Sequence, residues 1–178
     1  GEILRSYSLS SHPGEPELEL CVKLLPDGVG SNFVREAKPG DQINFYGPVG
    51  RFVIPPEVST PQVFVATGVG LAPIMGMIQD ALLMRQIPEP LHLLFGVRKE
   101  ADLFWVDRLE ELTAKFPNFS YTTTLSQPEE VWAGATGRVT AHLEKLPLDG
   151  QFYLCGSSEM VAEVKQYFVS KGVLPKAI

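Results

Sequence analysis

At 178 residues, 44% hydrophobic and 20% charged, the chain has the length and composition of one large globular domain or two small ones. Its net charge of −6, with no block of like charges, argues against nonspecific binding to nucleic acid or an anionic membrane, because neutralising phosphates needs clustered Lys and Arg. No run approaches the roughly 18 apolar residues of a membrane span, and no charged segment followed by an apolar core opens the chain, so neither a transmembrane helix nor a signal peptide is expected. Cys21 and Cys155 fall in separate predicted strands and make no disulfide framework, which points to the cytoplasm. His12, His92 and His142 show no metal-ligand spacing and read as surface or packing residues, so no metal site is expected.

Up to about position 60, short strand-like runs alternate with Gly and Pro turns: residues 7–9, 18–25, 42–46 and 51–54. One helix is expected over 31–37, and 55–61, with three prolines, reads as a connector. Beyond it strands and helices alternate. Strands are predicted at 63–66, 91–97, 120–125 and 152–155, and helices at 73–84, 102–116, 139–146 and 158–171. Pro73 suits a first helical turn, Ser157 or Ser158 an N-cap, and Gly172 a stop. Repeated β-α units with short loops imply a parallel sheet covered by helices.

In such a sheet, ligands bind beyond the carboxyl ends of the strands. Those ends here are Thr67-Gly68-Val69-Gly70, Gly96-Val97-Arg98, Ser126-Gln127 and Cys155-Gly156. Three of the four contain glycine, where a backbone can approach a ligand closely. The first lies between a strand and a helix and suits phosphate on helical N–H groups. It departs from the full dinucleotide fingerprint, with Pro73 at the third glycine position and no acidic residue ending the second strand. An ordinary strand-to-helix turn is the alternative.

In the first part, Arg5-Ser6-Tyr7-Ser8 sets a cation, an aromatic ring and hydroxyls within four residues. A guanidinium can grip a diphosphate in fork geometry, and a Tyr ring can lie on a flat heterocycle. A half-exposed strand is the competing reading. Gly28-Val29-Gly30-Ser31 runs from a turn into a helix N-terminus, a second candidate anion site, with a simple glycine turn capped by Ser31 as its alternative.

Together these segments resemble the ferredoxin–NADP reductase superfamily, close to the reductase components of bacterial oxygenases. Arg5 to Ser8 matches an R-x-Y-S flavin motif and Gly28 to Ser31 a G-x-x-S diphosphate turn. Gly47-Pro48-Val49-Gly50-Arg51-Phe52 matches G-P-x-G-x-F, Thr67 to Pro73 matches T-G-x-G-x-A-P, and Cys155-Gly156 matches a C-G pair. The resemblance implies an α/β plus β protein. Residues 1–58 would form a partial flavin-binding antiparallel β-barrel of Greek-key type, lacking its first strands. Residues 59–178 would form a parallel-sheet nicotinamide-binding α/β domain, lacking its last strand.

The resemblance also implies roles. Arg5 would hold the FAD diphosphate with backbone from Gly28 to Ser31, Tyr7 would pack on the flavin, and Ser8 would bond near its N5. Thr67 to Gly70 would carry the nicotinamide diphosphate, and Cys155 would sit beside the nicotinamide ring. Hydride transfer needs alignment of the cofactors rather than a protein acid–base pair. The implied activity is FAD-dependent NAD(P)H reduction that delivers electrons to an iron–sulfur protein or oxygenase. A stand-alone flavin or quinone reductase and a non-catalytic nucleotide-binding module are the rivals. Gln127 stands where NADPH-using relatives often carry Arg after Ser126, so NADH is the expected coenzyme, with Arg98 and Arg138 as compensating cations for NADPH.

Overall fold

A computed structural model of the chain describes residues 3–178, so the first two positions of the expected flavin-binding region lie outside the described residues. The centre is a five-stranded parallel sheet: β1 (Gln62–Thr67), β2 (Leu91–Val97), β3 (Phe119–Leu125), β4 (Ala135–Thr136) and β5 (Gln151–Cys155), in the order β4-β3-β2-β1-β5. A strand buried on both faces must be apolar on both, and β1 is: Val63, Phe64, Val65 and Ala66 are wholly buried. Alternation then divides the core in two. Phe64 and Ala66 face one layer, under the helices α2 (Leu71–Gln79) and α3 (Val106–Lys115). Val63 and Val65 face the other, under α4 (Ser158–Ser170).

Most elements of this sheet lie where the periodicity puts them. Pro73 sits in the first turn of α2, which begins at Leu71 and ends in a π-helical turn over Asp80–Met84. Ser157 caps α4 by accepting from the Met160 amide at 3.2 Å, and Gly172 at φ +92° follows its end. Two helices depart from expectation. The segment 102–116 is broken: a single 3₁₀ turn over Glu100–Asp102 precedes α3, and Trp105, at φ +58°, interrupts between them. The helix expected over 139–146 is two 3₁₀ turns, Val139–Ala141 and Leu143–Lys145. His142, between them, has its Nε2 3.0 Å from the Thr136 carbonyl and 3.1 Å from Thr124 Oγ1, which draws the chain back toward β3 and β4. The two-residue β4 was not anticipated.

Residues 3–58 differ from the expected barrel. The helix forms, as α1 over Val29–Glu36, but the four strand-like segments do not zip into ladders. One isolated antiparallel bridge, Leu9 to Leu20, is their pairing among the described residues. A strand takes its stability from a neighbour's backbone and from a covered face. Here Ile43, Phe45, Tyr46 and Val49 stand exposed instead.

The two regions are nevertheless fastened together. Ile54 is buried in the α2–α3 layer of the core. Arg85 donates to the carbonyls of Pro55 at 2.6 Å and Pro56 at 2.8 Å, fixing the connector. Phe52, of the G-P-x-G-x-F segment, meets Tyr153 of β5 edge-on at 6.1 Å between ring centroids. Tyr153 is itself buried, stacks on Phe64 at 5.1 Å and donates to Gln62 Oε1 at 2.9 Å. Desolvation by burial pushes its phenol up to about 12, so it stays a donor at neutral pH.

Candidate functional site

The chain runs β1 to β4 outward on one side, then returns to place β5 on the other side of β1. The carboxyl ends of β1 and β5 therefore flank the topological switch point, where a crevice opens in sheets of this kind. Two of the four predicted strand-end segments meet there. Gly70 lies so near Cys155 that any Cβ on it would strike the Cys155 carbonyl and reach within 2.8 Å of the Gly156 amide. A Cβ on Gly156 would in turn strike the Thr67 hydroxyl. Gly68 takes φ +52°, the left-handed region that glycine enters without a Cβ penalty. The glycines thus bring the β1 loop and the β5 end into backbone contact at the start of α2. Cys155 is half-buried, and desolvation pushes its thiol up, which keeps it neutral.

The other two strand ends meet each other. The Ser126 amide donates to the Val97 carbonyl at 3.1 Å and the Gln127 amide to the Arg98 carbonyl at 2.8 Å. Arg98, Ser126 and Gln127 are exposed. Arg138 is engaged elsewhere, since its guanidinium lies 3.7 Å from Glu159 on α4. Gly96 joins both pairs of ends: a Cβ there would meet Val139 at 2.5 Å, Thr67 at 3.5 Å and Thr124 at 3.6 Å. Val139 and Thr124 were missed from sequence. Thr124 is wholly buried and donates to the Gly137 carbonyl at 2.8 Å, holding the 137–139 loop down over Gly96. The available signal was the glycine before Arg138-Val139, at φ +104°.

In the first region, Arg5, Tyr7 and Gly30 come together although two motifs supply them. A Cβ on Gly30 would strike the Tyr7 hydroxyl and lie 3.9 Å from Arg5 Cγ. Arg5 Nη1 donates to the Leu4 carbonyl at 2.8 Å, and Ser6, Tyr7 and Ser8 are exposed. Gly28, not Ser31, is the N-cap residue of α1. Ser31 is buried and its hydroxyl accepts from the Leu25 amide at 2.9 Å, so it closes the turn and leaves the α1 terminus to its backbone. The first amides of any α-helix lack intrahelical acceptors, so Val29, Gly30 and Ser31 present N–H groups at the α1 terminus, where Gly30 lies beside the Arg5 stem. Both clusters suit the groups the resemblance implies: a cation beside helix amides for a diphosphate, and a glycine-lined crevice that excludes side chains for a nucleotide.

Comparison with known proteins agrees on both regions. Residues 64–166 match the oxidoreductase NAD-binding domain family, and residues 1–54 match the oxidoreductase FAD-binding domain family. The chain is 35% identical over 176 residues to ferredoxin–NADP reductase B of Sorangium cellulosum, covering 93% of this chain and 72% of that protein. The chain belongs to the ferredoxin–NADP reductase superfamily. Within it, the toluate 1,2-dioxygenase electron transfer component of Pseudomonas putida is 36% identical over 175 residues, covering 96% of this chain and 51% of that protein. The solved structure of Amycolatopsis cytochrome P450 reductase GcoB superposes with a TM-score of 0.85 at 31% identity, covering 97% of this chain and 54% of that one. The chain thus spans about half the length of several relatives it matches. Among the described residues, no helix is long and apolar enough to cross a membrane, and no group of three or more His, Cys, Asp or Glu side chains could hold a metal ion.

Proposed function

We propose that the chain reduces FAD with NADH or NADPH and passes electrons on to an iron–sulfur protein or oxygenase component. The supporting observation is the contact of Gly70 with Cys155 and Gly156 at the switch point of a chain whose two regions match FAD- and NAD-binding families. In this reading residues 1–58 are the flavin-binding region, part of a barrel domain, and 59–178 the nicotinamide domain. When bound, the cofactors would supply the redox chemistry, hydride transfer from the nicotinamide to FAD and onward transfer of electrons.

The protein's part is to bind and align. Arg5 holds the FAD diphosphate with the amides of Val29, Gly30 and Ser31. Tyr7 would lie on the flavin ring, and Ser8 would donate near N5. Thr67 to Gly70, with Pro73 fixing the first turn of α2, carry the coenzyme diphosphate. Gly96 and Val97 form the floor, and Arg98, Ser126 and Gln127 meet the adenosine end. Cys155, kept neutral by burial, would lie against the nicotinamide ring, with Gly156 leaving room for it. The oxygenase partner follows the relatives, which include an oxygenase electron transfer component. Two free thiols suit the cytoplasm.

The test is reconstitution with FAD followed by anaerobic addition of NADH. A yellow protein bleached at the flavin band supports the reading, and Cys155→Ala is expected to slow the bleaching while leaving the flavin spectrum and Tm nearly unchanged. The unladdered segments of residues 3–58 favour one second reading, a nucleotide-binding module without flavin chemistry. A colourless protein that still binds NADH would establish that module and overturn the reductase.

A further inference from the structure

Ser8 reaches the nicotinamide domain through a short relay that neither cofactor motif contains. Two residues beyond it, Ser10 is wholly buried and bound to Glu19 twice: its amide donates to the Glu19 carbonyl at 2.9 Å and its hydroxyl to Glu19 Oε2 at 2.9 Å. The Glu19 amide returns a bond to Ser11 Oγ at 3.0 Å. The Glu19 carboxylate in turn takes both arms of the Arg108 guanidinium, Nη1 to Oε2 and Nη2 to Oε1, each at 2.8 Å. Arg108 belongs to α3, whose Leu109 and Leu112 are set in the core, and its guanidinium lies 5.0 Å from the centroid of the Trp105 ring.

A second grip comes from α2. A Cβ on Gly76 would stand 3.1 Å from the Ser11 carbonyl, 3.2 Å from that of Ser10 and 3.4 Å from that of Leu9. The helix that starts at the switch-point loop therefore passes directly beneath the extended segment that leaves Ser8. An extended chain rises about 3.3 Å per residue, so Ser8 is roughly 7 Å along the chain from the anchored Ser10.

We propose that Arg108 is a positioning residue: through Glu19 and Ser10 it fixes the extended segment bearing Ser8 against the domain bearing Cys155. This rests on the proposed reductase function. An exposed ion pair contributes little to stability. This one is part-buried, bidentate and shared with a buried hydroxyl, so its consequence is geometric. Hydride transfer needs reacting atoms about 3–3.5 Å apart, and an error of about 1 Å can cost as much as a hundredfold in rate.

The test uses the FAD-loaded protein and three variants. Arg108→Met keeps the stem over Trp105 and removes the fork, Arg108→Lys keeps a cation without the fork, and Glu19→Gln keeps the shape without the charge. Stopped-flow reduction separates the limiting rate from the apparent NADH affinity, and amide exchange reports on Ser10 without cofactor. Arg108→Met is expected to speed exchange at Ser10 and lower the limiting rate by about tenfold, with FAD and NADH affinities within about twofold of wild type. Arg108→Lys is expected to lie between. If Arg108→Met does not fold, Glu19→Gln is expected to show the same split. An unchanged limiting rate, an unchanged exchange at Ser10, or a loss confined to cofactor affinity overturns the inference alone. A wild type that binds FAD but is not reduced by either coenzyme overturns the proposed function, and this inference with it.

Discussion

Residues 59–178 and residues 3–58 solve the burial problem in opposite ways. In the first, β1 is sealed on both faces and its neighbours supply every ladder partner it needs. In the second, extended segments run side by side with one bridge and are tied by side chains, some within the region, as Ser31 to Leu25, and some across to the other: Glu19 on Arg108, the connector on Arg85, and Phe52 on Tyr153. The parallel sheet is held by its own core. The flavin-side segments are held by side-chain ties, several of them reaching across. Truncating an apolar side chain should therefore cost more stability in the first region than in the second.

The sharpest way to break that contrast is a matched pair of truncations. Phe64 is wholly buried, so Phe64→Ala should lower unfolding free energy by about 3–5 kcal/mol. Phe45 is 71% exposed, and Phe45→Ala should stay within about 0.5 kcal/mol. Urea denaturation of both variants checks the pair, and comparable losses would show that the flavin-side segments bury more than the described contacts reveal.

Next in size is Arg5. Its stem lies beside Gly30 and the α1 amides, so Arg5→Ala should weaken FAD binding by about 1.5–3 kcal/mol, the scale of charged hydrogen bonds. FMN lacks the diphosphate bridge and should lose much less. Fluorescence titration with both flavins decides, and equal losses would remove Arg5 from the diphosphate site.

Why one region was legible and the other was not follows from the same contrast. Continuous apolar runs such as Val63 to Ala66 announce buried parallel strands, and the rule that ligands gather at strand ends leads straight to Gly70, Cys155 and Gly156. Alternation in residues 7–9 or 42–46 reports only that a segment suits a strand, not that a partner backbone lies beside it. The helix read over 139–146 failed because the ties from His142 to Thr124 and Thr136 are invisible to periodicity. Nothing in the sequence pairs Glu19 with Arg108, 89 residues apart, until the fold places them face to face. The family motifs were legible from residue identity, and the contact between Tyr7 and Gly30, from separate motifs, could not be read from either alone.

A smaller effect concerns the coenzyme's adenosine end. Gln127, exposed and zipped to the β2 end by its amide, offers no cation for a 2′-phosphate. Wild type should prefer NADH, and Gln127→Arg should shift the ratio of kcat/KM values toward NADPH by roughly tenfold, about 1.4 kcal/mol of differential binding. Ferricyanide reduction with each coenzyme at matched low salt measures it. A wild-type preference for NADPH, or no shift in the variant, would assign the 2′ position to other residues.

The smallest expected effect probes the cross-region contact itself through pH. The Arg108 fork, joined by the Ser10 hydroxyl and opposed by partial desolvation, holds the Glu19 carboxyl below its ordinary 4.5. A carboxyl depressed in the folded state binds its proton more readily when unfolded, so the unfolded chain takes up protons first as pH falls. The contribution of Glu19 is therefore complete above about pH 4.5 and is lost as pH drops through the lowered folded value. With a third of its side chain exposed, solvent screening keeps that contribution to about 0.5–1 kcal/mol. Glu19→Gln should accordingly be less stable than wild type by a constant margin between pH 7 and pH 5.5, about a unit or more above the ordinary carboxyl range, and the margin should close toward pH 3. Urea midpoints across that range measure the gap. A margin that does not change with pH would mean that the neutral amide introduced by Glu19→Gln is destabilising by shape, and that the fork's charge contributes nothing to holding the two regions together.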